Sequence, residues 1–407
     1  MRDLAREINL EQALENVKEF EWNEEGDYRE AARAALKEIL ENRMSNWIDS
    51  YLHELGSRAE AHSDRRNGSY SRHLLTEMGD IELAVPRTRK TSAAQVIERF
   101  KRRPRNIDRA ILECFVLGCS TRKVAEALVP ILGERISHTT VSRVARQLDE
   151  HVKAFHRRKL EDQYRFLFFD GVTVRQKTGA GAIQRVALVC RGIRFDDRKE
   201  NIDFYLARGE SQEEWEAFLN DLYNRGLVGE KTELIITDGG KGLLAALGLV
   251  YPRVLVQRCW AHKTRNVTDK VKKKDREAVK KDLHKISHAK NLRQAQKAAG
   301  KFADKWKSDY PKAVECLRQD LDSLLEFMRF DKKWRKQIRT TNTIERIFKE
   351  VRRRTRPMGA FSDRTSVERI LYAVLMYENR KQGVTPVLST NRGKSTSAIS
   401  TIWTDQD

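Results

Sequence analysis

Leu36, Ile39, Leu40, Met44, Trp47, Ile48, Tyr51 and Leu55 recur at steps of three and four, which predicts a long amphipathic helix over residues 27–55. Its apolar face needs a cover, and a second protomer, the basic body of the protein or a small helical bundle would each serve. Asn67-Gly68-Ser69-Tyr70 carries a turn signal, and the alternation within Gly79–Arg87 predicts a strand ended by Pro86. Residues 107–148 return to helical spacing. Two segments there open on a capping hydroxyl, Ser120-Thr121 running to Leu128 and, after Leu132-Gly133 and Ile136, Ser137-His138 running to Leu148. The pair has the cadence of a helix-turn-helix, whose second helix would present Thr139, Thr140, Ser142, Arg143 and Arg146 to a major groove.

From residue 164 the pattern changes to strands: 164–175 with the run Phe166-Leu167-Phe168-Phe169, then 183–195, then 201–208. A helix over 211–225 opens on a capping box, Ser211 with Glu214. A buried-type strand over 233–237, a helix over 241–250 and a last strand over 253–257 follow. A helical stretch over 263–335 then intervenes before one more helix. Three sequential strands read as an antiparallel meander, and the two after helical crossovers as parallel additions. The expected fold class is α/β: an RNase H-like core with a helical insertion, preceded by mainly helical DNA-binding domains that include the helix-turn-helix.

Charge changes this picture from a fold to a partner. The 407 residues carry a net charge of +20. Residues 1–62 hold 8 basic against 15 acidic side chains, so the excess lies beyond them, and residues 263–312 alone hold 17 basic against 6 acidic. Tighter clusters stand at Lys101, Arg102, Arg103 and Arg105 and at Arg352, Arg353, Arg354 and Arg356. One such run reads as the solvated face of a helix, but several separated stripes in a strongly basic chain fit a phosphate backbone. No apolar stretch approaches the roughly 20 residues of a membrane-spanning helix, and the charged start Met1-Arg2-Asp3 has no apolar signal region. A cytoplasmic, nucleoid-associated protein is expected. Five cysteines without a CxxC pair exclude a disulfide scaffold and argue against structural zinc.

Three carboxylates supply candidate chemistry. Asp170 follows an apolar strand segment, Asp238 ends another, and strand ends are where an open α/β sheet gathers reactive groups. Either Asp-Gly also reads as a plain turn. Glu345 lies in Thr340-Thr341-Asn342-Thr343-Ile344-Glu345-Arg346, with Asn342 on the same helical face and Arg346, Lys349, Arg352 and Arg353 close by. A surface ion pair with Lys349 is its plainer role. Oxygen ligands converging on Mg²⁺ or Mn²⁺ suit phosphodiester chemistry, because two such ions activate the attacking oxygen and stabilise the leaving one. Cys259 and His262 are spaced like zinc ligands, but no second pair lies nearby and a tetrahedral site takes four. An accessory role in ordering the site or contacting DNA is expected for them, with buried packing of Cys259 and Trp260 as the alternative.

These residues carry a resemblance. Arg66-Asn67-Gly68, Gly118-Cys119-Ser120-Thr121-Arg122, Asp170-Gly171, Thr237-Asp238-Gly239, Gln257-Arg258-Cys259-Trp260-Ala261-His262 and the Glu345 segment resemble bacterial insertion-sequence transposases of the Mutator-like family. The resemblance covers nearly the whole chain. It implies a DDE enzyme with Asp170, Asp238 and Glu345 as catalytic and metal-binding residues and two Mg²⁺ or Mn²⁺ ions. It also implies double-stranded DNA, as terminal inverted repeats and target, for a partner. DNA contacts are expected from Arg102, Arg103, Arg105, Arg122, Lys123, Thr139, Thr140, Ser142, Arg143, Arg146, Arg346, Lys349, Arg352 and Arg353. A homodimer is expected, with no membrane and no small-molecule cofactor. The expected organisation is an acidic helical region (1–62), a small β-containing DNA-binding module (63–105), the helix-turn-helix domain (106–158), the first part of the core (159–262), the basic insertion (263–335), the final core helices (336–385) and a flexible tail (386–407). A non-catalytic DNA-binding regulator and an RNase H-like structure-selective nuclease are the competing readings.

Overall fold

The apolar face of the first helix is covered by the strands that follow it. In the computed structural model, which describes residues 28–57, 64–76, 79–98, 105–129 and 136–384, helix α1 (Tyr28–Ser57) lies on an antiparallel pair, β1 (Arg66–Thr76) and β2 (Gly79–Thr88). Leu40, Met44 and Ile48 of the helix share a core with Leu74, Ile81, Leu83 and Val85, the last three spaced so that alternate residues of β2 face inward. The turn expected at Asn67-Gly68 is absent: both residues lie inside β1, at a register shift between Arg66 and Ser69, with Gly68 at φ +67°. The left-handed preference that signals a turn here makes a bulge. Nor does Pro86 end β2, which runs to Thr88. In a two-stranded sheet both strands are edges, where proline's missing N–H is tolerated.

Helices α2 (Ala94–Glu98), α3 (Arg105–Val116), α4 (Thr121–Ala127) and α5 (His138–Ala145) follow. Ser120 accepts from the Lys123 amide at 3.3 Å and Ser137 from the Thr140 amide at 3.1 Å, so each hydroxyl caps a helix start as expected. α4 and α5 pack together and bury Val124, Ala125, Val141, Val144 and Ala145. The expectations placed on Lys101, Arg102, Arg103, Leu132-Gly133 and the tail from 386 lie outside the described residues, as does the Arg105 side chain. The chain divides into two compact units, Met1–Phe115 with Cys119–Arg146, and Val116–Gly118 with Gln147–Asp407.

The second unit is built on a five-stranded sheet of order β5-β4-β3-β6-β7: β3 (Tyr164–Thr178), β4 (Gly181–Arg194), β5 (Lys199–Ala207), β6 (Leu234–Thr237) and β7 (Leu255–Arg258). β3, β4 and β5 form the expected antiparallel meander, and β6 and β7 add in parallel. Helices α7 (Gln212–Asn224) and α8 (Lys241–Val250) pack on the face that carries Leu167, Phe169, Leu188 and Cys190. The opposite face meets Trp334, whose ring centroid lies 5.3 Å from that of Phe166. Burial on both faces is why these strands are continuous apolar runs rather than alternating ones. Helix α6 (Leu148–Arg157) opens the unit, with the Phe155 ring 5.3 Å from Tyr372.

After β7 the chain is helical: α9 (Trp260–Thr268), α10 (Arg276–Ser287), α11 (Leu292–Trp306), α12 (Pro311–Arg318), α13 (Leu321–Leu325) and α14 (Lys332–Ile338). Some of its cations are engaged within the protein, whether buried or at the surface. Lys263 is buried against Asp320, and Asp282 takes both Lys285 and Lys305. Asp282 is held down to about 2 because those hydrogen bonds and one from Trp306 outweigh its partial burial. Arg293, Lys297 and Lys301, one turn apart along α11, are instead exposed and form no ion pair among the described residues. Helices α15 (Asn342–Met358) and α16 (Arg364–Arg380) return to the sheet. Among the described residues no helix is long and apolar enough to cross a membrane.

Candidate active site

Sheet register brings the candidate residues together. Phe169, Thr237 and Arg258 are aligned across β3, β6 and β7, so the next residue of each strand, Asp170, Asp238 and Cys259, falls in a second row. β6 and β7 stop at that row and β3 continues through it; Asp170 is therefore inside a strand rather than after one. The Cys259 amide donates to the Thr237 carbonyl at 2.8 Å. α9 then starts at Trp260 and carries His262, while the chain returns from the helical insertion to start α15 with Glu345 in its first turn.

His262 Nε2 stands 3.5 Å from Glu345 Oε1, and an Arg352 guanidinium nitrogen 3.8 Å from Oε2. The cations beside Glu345 are thus one from another element and one two turns along its own helix. Lys349, the partner expected from helical spacing, is exposed and makes no ion pair with it. Thr341, which sequence reasoning passed over, joins the two sides. Its amide and hydroxyl donate to Cys259 Sγ at 3.2 and 3.3 Å, and the hydroxyl lies 3.4 Å from His262 Nδ1. Cys259 and Thr341 are both fully buried. A hydroxyl directly before a helix start was the available signal.

The electrostatics are those of crowded acids. Asp170 is 8% exposed; Oδ1 accepts from the Gly171 amide at 2.8 Å, while Oδ2 is buried without a hydrogen-bond partner. Burial first, then the charge of Asp238, raises Asp170 to about 7, against the Gly171 amide and the pull of His262. Asp238 is half-buried and accepts from the Gly240 amide at 3.0 Å. His262 is raised to about 9 by its hydrogen bond with Cys259, which burial opposes and the charges of Cys259, Asp170 and Asp238 reinforce. Burial pushes the Cys259 thiol up, but hydrogen bonds with His262 and Thr341 outweigh it and hold the thiol below its ordinary value.

An oxygen-rich donor set with one orphaned carboxylate oxygen fits a hard divalent cation. The side chains are not closed around one: among the described residues no group of three or more His, Cys, Asp or Glu is arranged to hold a metal ion. The expected DNA-contacting residues fall in two places. In the first unit Arg122, Lys123, Thr139, Arg143 and Arg146 are exposed and Thr140 and Ser142 half-buried. On α15, Arg346 and Lys349 are exposed, Arg353 pairs with Glu350 at 2.8 Å, and Arg352 turns toward Glu345. Arg354, read as part of a basic surface cluster, is buried and paired with Glu350, because it lies on the same face as Val351 and Phe348. Asn342 is exposed at the helix start.

Comparison with known proteins extends this beyond the site. The profile of the family described as "Transposase, Mutator family" matches residues 5–382. The transposase for insertion sequence element ISRM5 of Rhizobium meliloti (strain 1021) is 30% identical over 88% of this chain and 89% of its own length. That for IS256 in transposon Tn4001 of Staphylococcus aureus is 31% identical over 84% and 87% respectively. That for IS1081 of Mycobacterium tuberculosis (strain ATCC 25618 / H37Rv) is 32% identical over 78% and 77%. With its profile match spanning both units and every strand of the sheet, the chain belongs to the Mutator family of transposases.

Proposed function

We propose that this transposase binds the terminal inverted repeats of an insertion sequence and catalyses metal-dependent cleavage and strand transfer there. The observation that carries the proposal is the row of Asp170, Asp238 and Cys259 at coincident strand positions, with Glu345 brought to it by α15. The meander with two parallel additions supports an RNase H-like core with a DDE site. In this reading Asp170, Asp238 and Glu345 would hold two Mg²⁺ or Mn²⁺ ions, which when bound activate an attacking oxygen and stabilise a leaving one. Cys259 and Thr341 fix the start of the Glu345 helix, and His262 and Arg352 set cations beside its carboxylate, where a DNA phosphate would approach. Water first attacks the phosphorus at the element end and breaks its P–O3′ bond, freeing a 3′-OH, and that hydroxyl then attacks a target phosphodiester, whose own 3′-oxygen leaves as the new bond forms. No covalent protein intermediate is needed.

Double-stranded DNA is held in this reading by the exposed residues of α4 and α5, paired as in a helix-turn-helix, and by the exposed cations of α11 and α15. Two element ends require at least two protomers, so the working unit is a homodimer. The apolar face of α1 is taken up within its own chain, which leaves its polar face for any such contact.

The test is a strand-transfer assay with element-end DNA and Mg²⁺, comparing the parent with Glu345→Gln. Loss of joined products with DNA binding retained is expected. Equal activity in the variant overturns the assignment, and cutting without joining favours a structure-selective nuclease.

A further inference from the structure

The turn between β5 and α7 brings another acid to the same strand ends. Glu210 precedes the cap Ser211, and its backbone is fixed against the helix start that follows Asp238. A Cβ at Gly242 would lie 2.6 Å from the Glu210 carbonyl oxygen and 2.9 Å from the Gln212 nitrogen. Those are main-chain atoms that cannot swing aside, so the glycine lets the start of α8, four residues after Asp238, pack directly against the Glu210 turn. The side chain of Glu210 then reaches β3. A Cβ at Gly171, the residue after Asp170 and directed to the other face of β3, would overlap the Glu210 carboxylate and a Val186 methyl, so Glu210 comes to this strand from the face opposite the Asp170 side chain. Glu210 reaches solvent, yet no hydrogen bond or ion pair engages its carboxylate among the described residues. The protein crowded around that carboxyl raises it above its ordinary value, with the charge of Asp238 as the second cause.

An added acid in an acidic cluster means little alone. What points to a ligand is Asp170, more than nine-tenths buried, with Oδ2 unpartnered. Glu210 approaches from the β5–α7 side, and Glu345 comes from α15 after the helical insertion. Asp238 is electrostatically coupled to Glu210, and Asp170 to both Asp238 and Glu345. A fourth carboxylate near Asp238 would add a protein oxygen donor where a water would otherwise complete the shell of one of the two ions.

We infer that Glu210 is a fourth carboxylate of this site and a ligand for the divalent cations. The inference rests on the proposed metal-dependent reading. Its test is Mn²⁺ binding to the full-length protein, followed by the electron paramagnetic resonance signal of free Mn²⁺. Parent, Glu210→Gln, Asp170→Asn and Glu213→Gln are compared, with thermal melting as a check on folding. Glu213 is an exposed acid in the first turn of α7, so Glu213→Gln controls for lost charge nearby. Glu210→Gln is expected to weaken Mn²⁺ binding about tenfold or more without lowering the melting temperature, and Glu213→Gln to behave as the parent. Parental binding in Glu210→Gln with loss in Asp170→Asn overturns this inference and leaves the three-carboxylate reading standing. Equal weakening by Glu210→Gln and Glu213→Gln also overturns it. A parent that binds no Mn²⁺ overturns the metal-dependent reading itself.

Discussion

Asp170 and Asp203 lie two strands apart in one sheet and are 8% and 0% exposed, yet the protein treats them in opposite ways. Asp203 on β5 is surrounded by partners: His156 at 2.8 Å, an Arg225 nitrogen at 2.5 Å and Arg158 at 3.7 Å, with the Phe204 amide donating as well. Burial alone would raise its carboxyl, but His156 first and then the two arginines outweigh it and hold it below the ordinary carboxylate value. Asp170 has one backbone donor and faces other acids. A buried charge kept for structure is fully satisfied, because a half-satisfied one costs stability. The Asp170 site is left short of partners, as a site awaiting a cation and phosphates would be.

That contrast can be broken in several ways. Asp203→Ala leaves the buried Arg158 without its carboxylate and should cost about 3–5 kcal/mol, read by urea unfolding; a cost near zero would show the cluster to be ornamental. Asp170→Asn should do the reverse and stabilise the chain by about 2 kcal/mol at pH 8.

The pH dependence gives that difference a sign. Asp170 sits at about 7 when folded, above its ordinary 3.8, so the stability linked to its proton is full below about pH 4 and is lost as pH rises through 7. The gain from Asp170→Asn should therefore vanish near pH 4 and open fully above pH 7. Asp203, held low, contributes stability above its ordinary value that is lost as pH falls. A gain for Asp170→Asn that does not change with pH would disprove the crowding described for that site. Millimolar Mg²⁺ should raise the melting temperature of the parent by a few degrees and that of Asp170→Asn by less, since a ligand of the folded state stabilises it. Smallest of all, Thr341→Val removes one hydroxyl donor to Cys259 and should cost about 1 kcal/mol while lowering strand transfer more than overall stability.

Much of this was legible in the sequence, for identifiable reasons. Apolar runs followed by Asp-Gly marked both the strands and the acids, since the sheet is buried on both faces and a carboxylate after such a run stands out, although β3 continues past Asp170. Ser120, Ser137 and Ser211 marked helix starts because capping is local chemistry. Asn67-Gly68 misled because the same left-handed glycine serves a turn or a bulge, and only the partner strand decides. Basic residues were legible as a total and not one by one. Lys263 and Arg354 are as charged as Lys297, and the pairing of Lys263 with Asp320 and the burial of Arg354 are tertiary facts. Glu210 and Thr341 escaped notice because what distinguishes them is the proximity of Asp238 and Cys259, each far away along the chain.

The helical insertion leaves the sheet at Trp260 and comes back at Arg339, and the Trp260 amide donates to the Arg339 carbonyl at 3.2 Å. Beside that clasp, Cys259 and Thr341 pin the outgoing and returning strands of chain to each other. The loop of helices is thus closed at its neck, and lengthening it farther out costs little closure entropy. Such a neck ties Glu345 to the end of the sheet rather than to the outer helices. The exposed face of α11 that carries Arg293, Lys297 and Lys301 could be recharged to suit a different stretch of DNA, and the distance from Glu345 to His262 would not register the change.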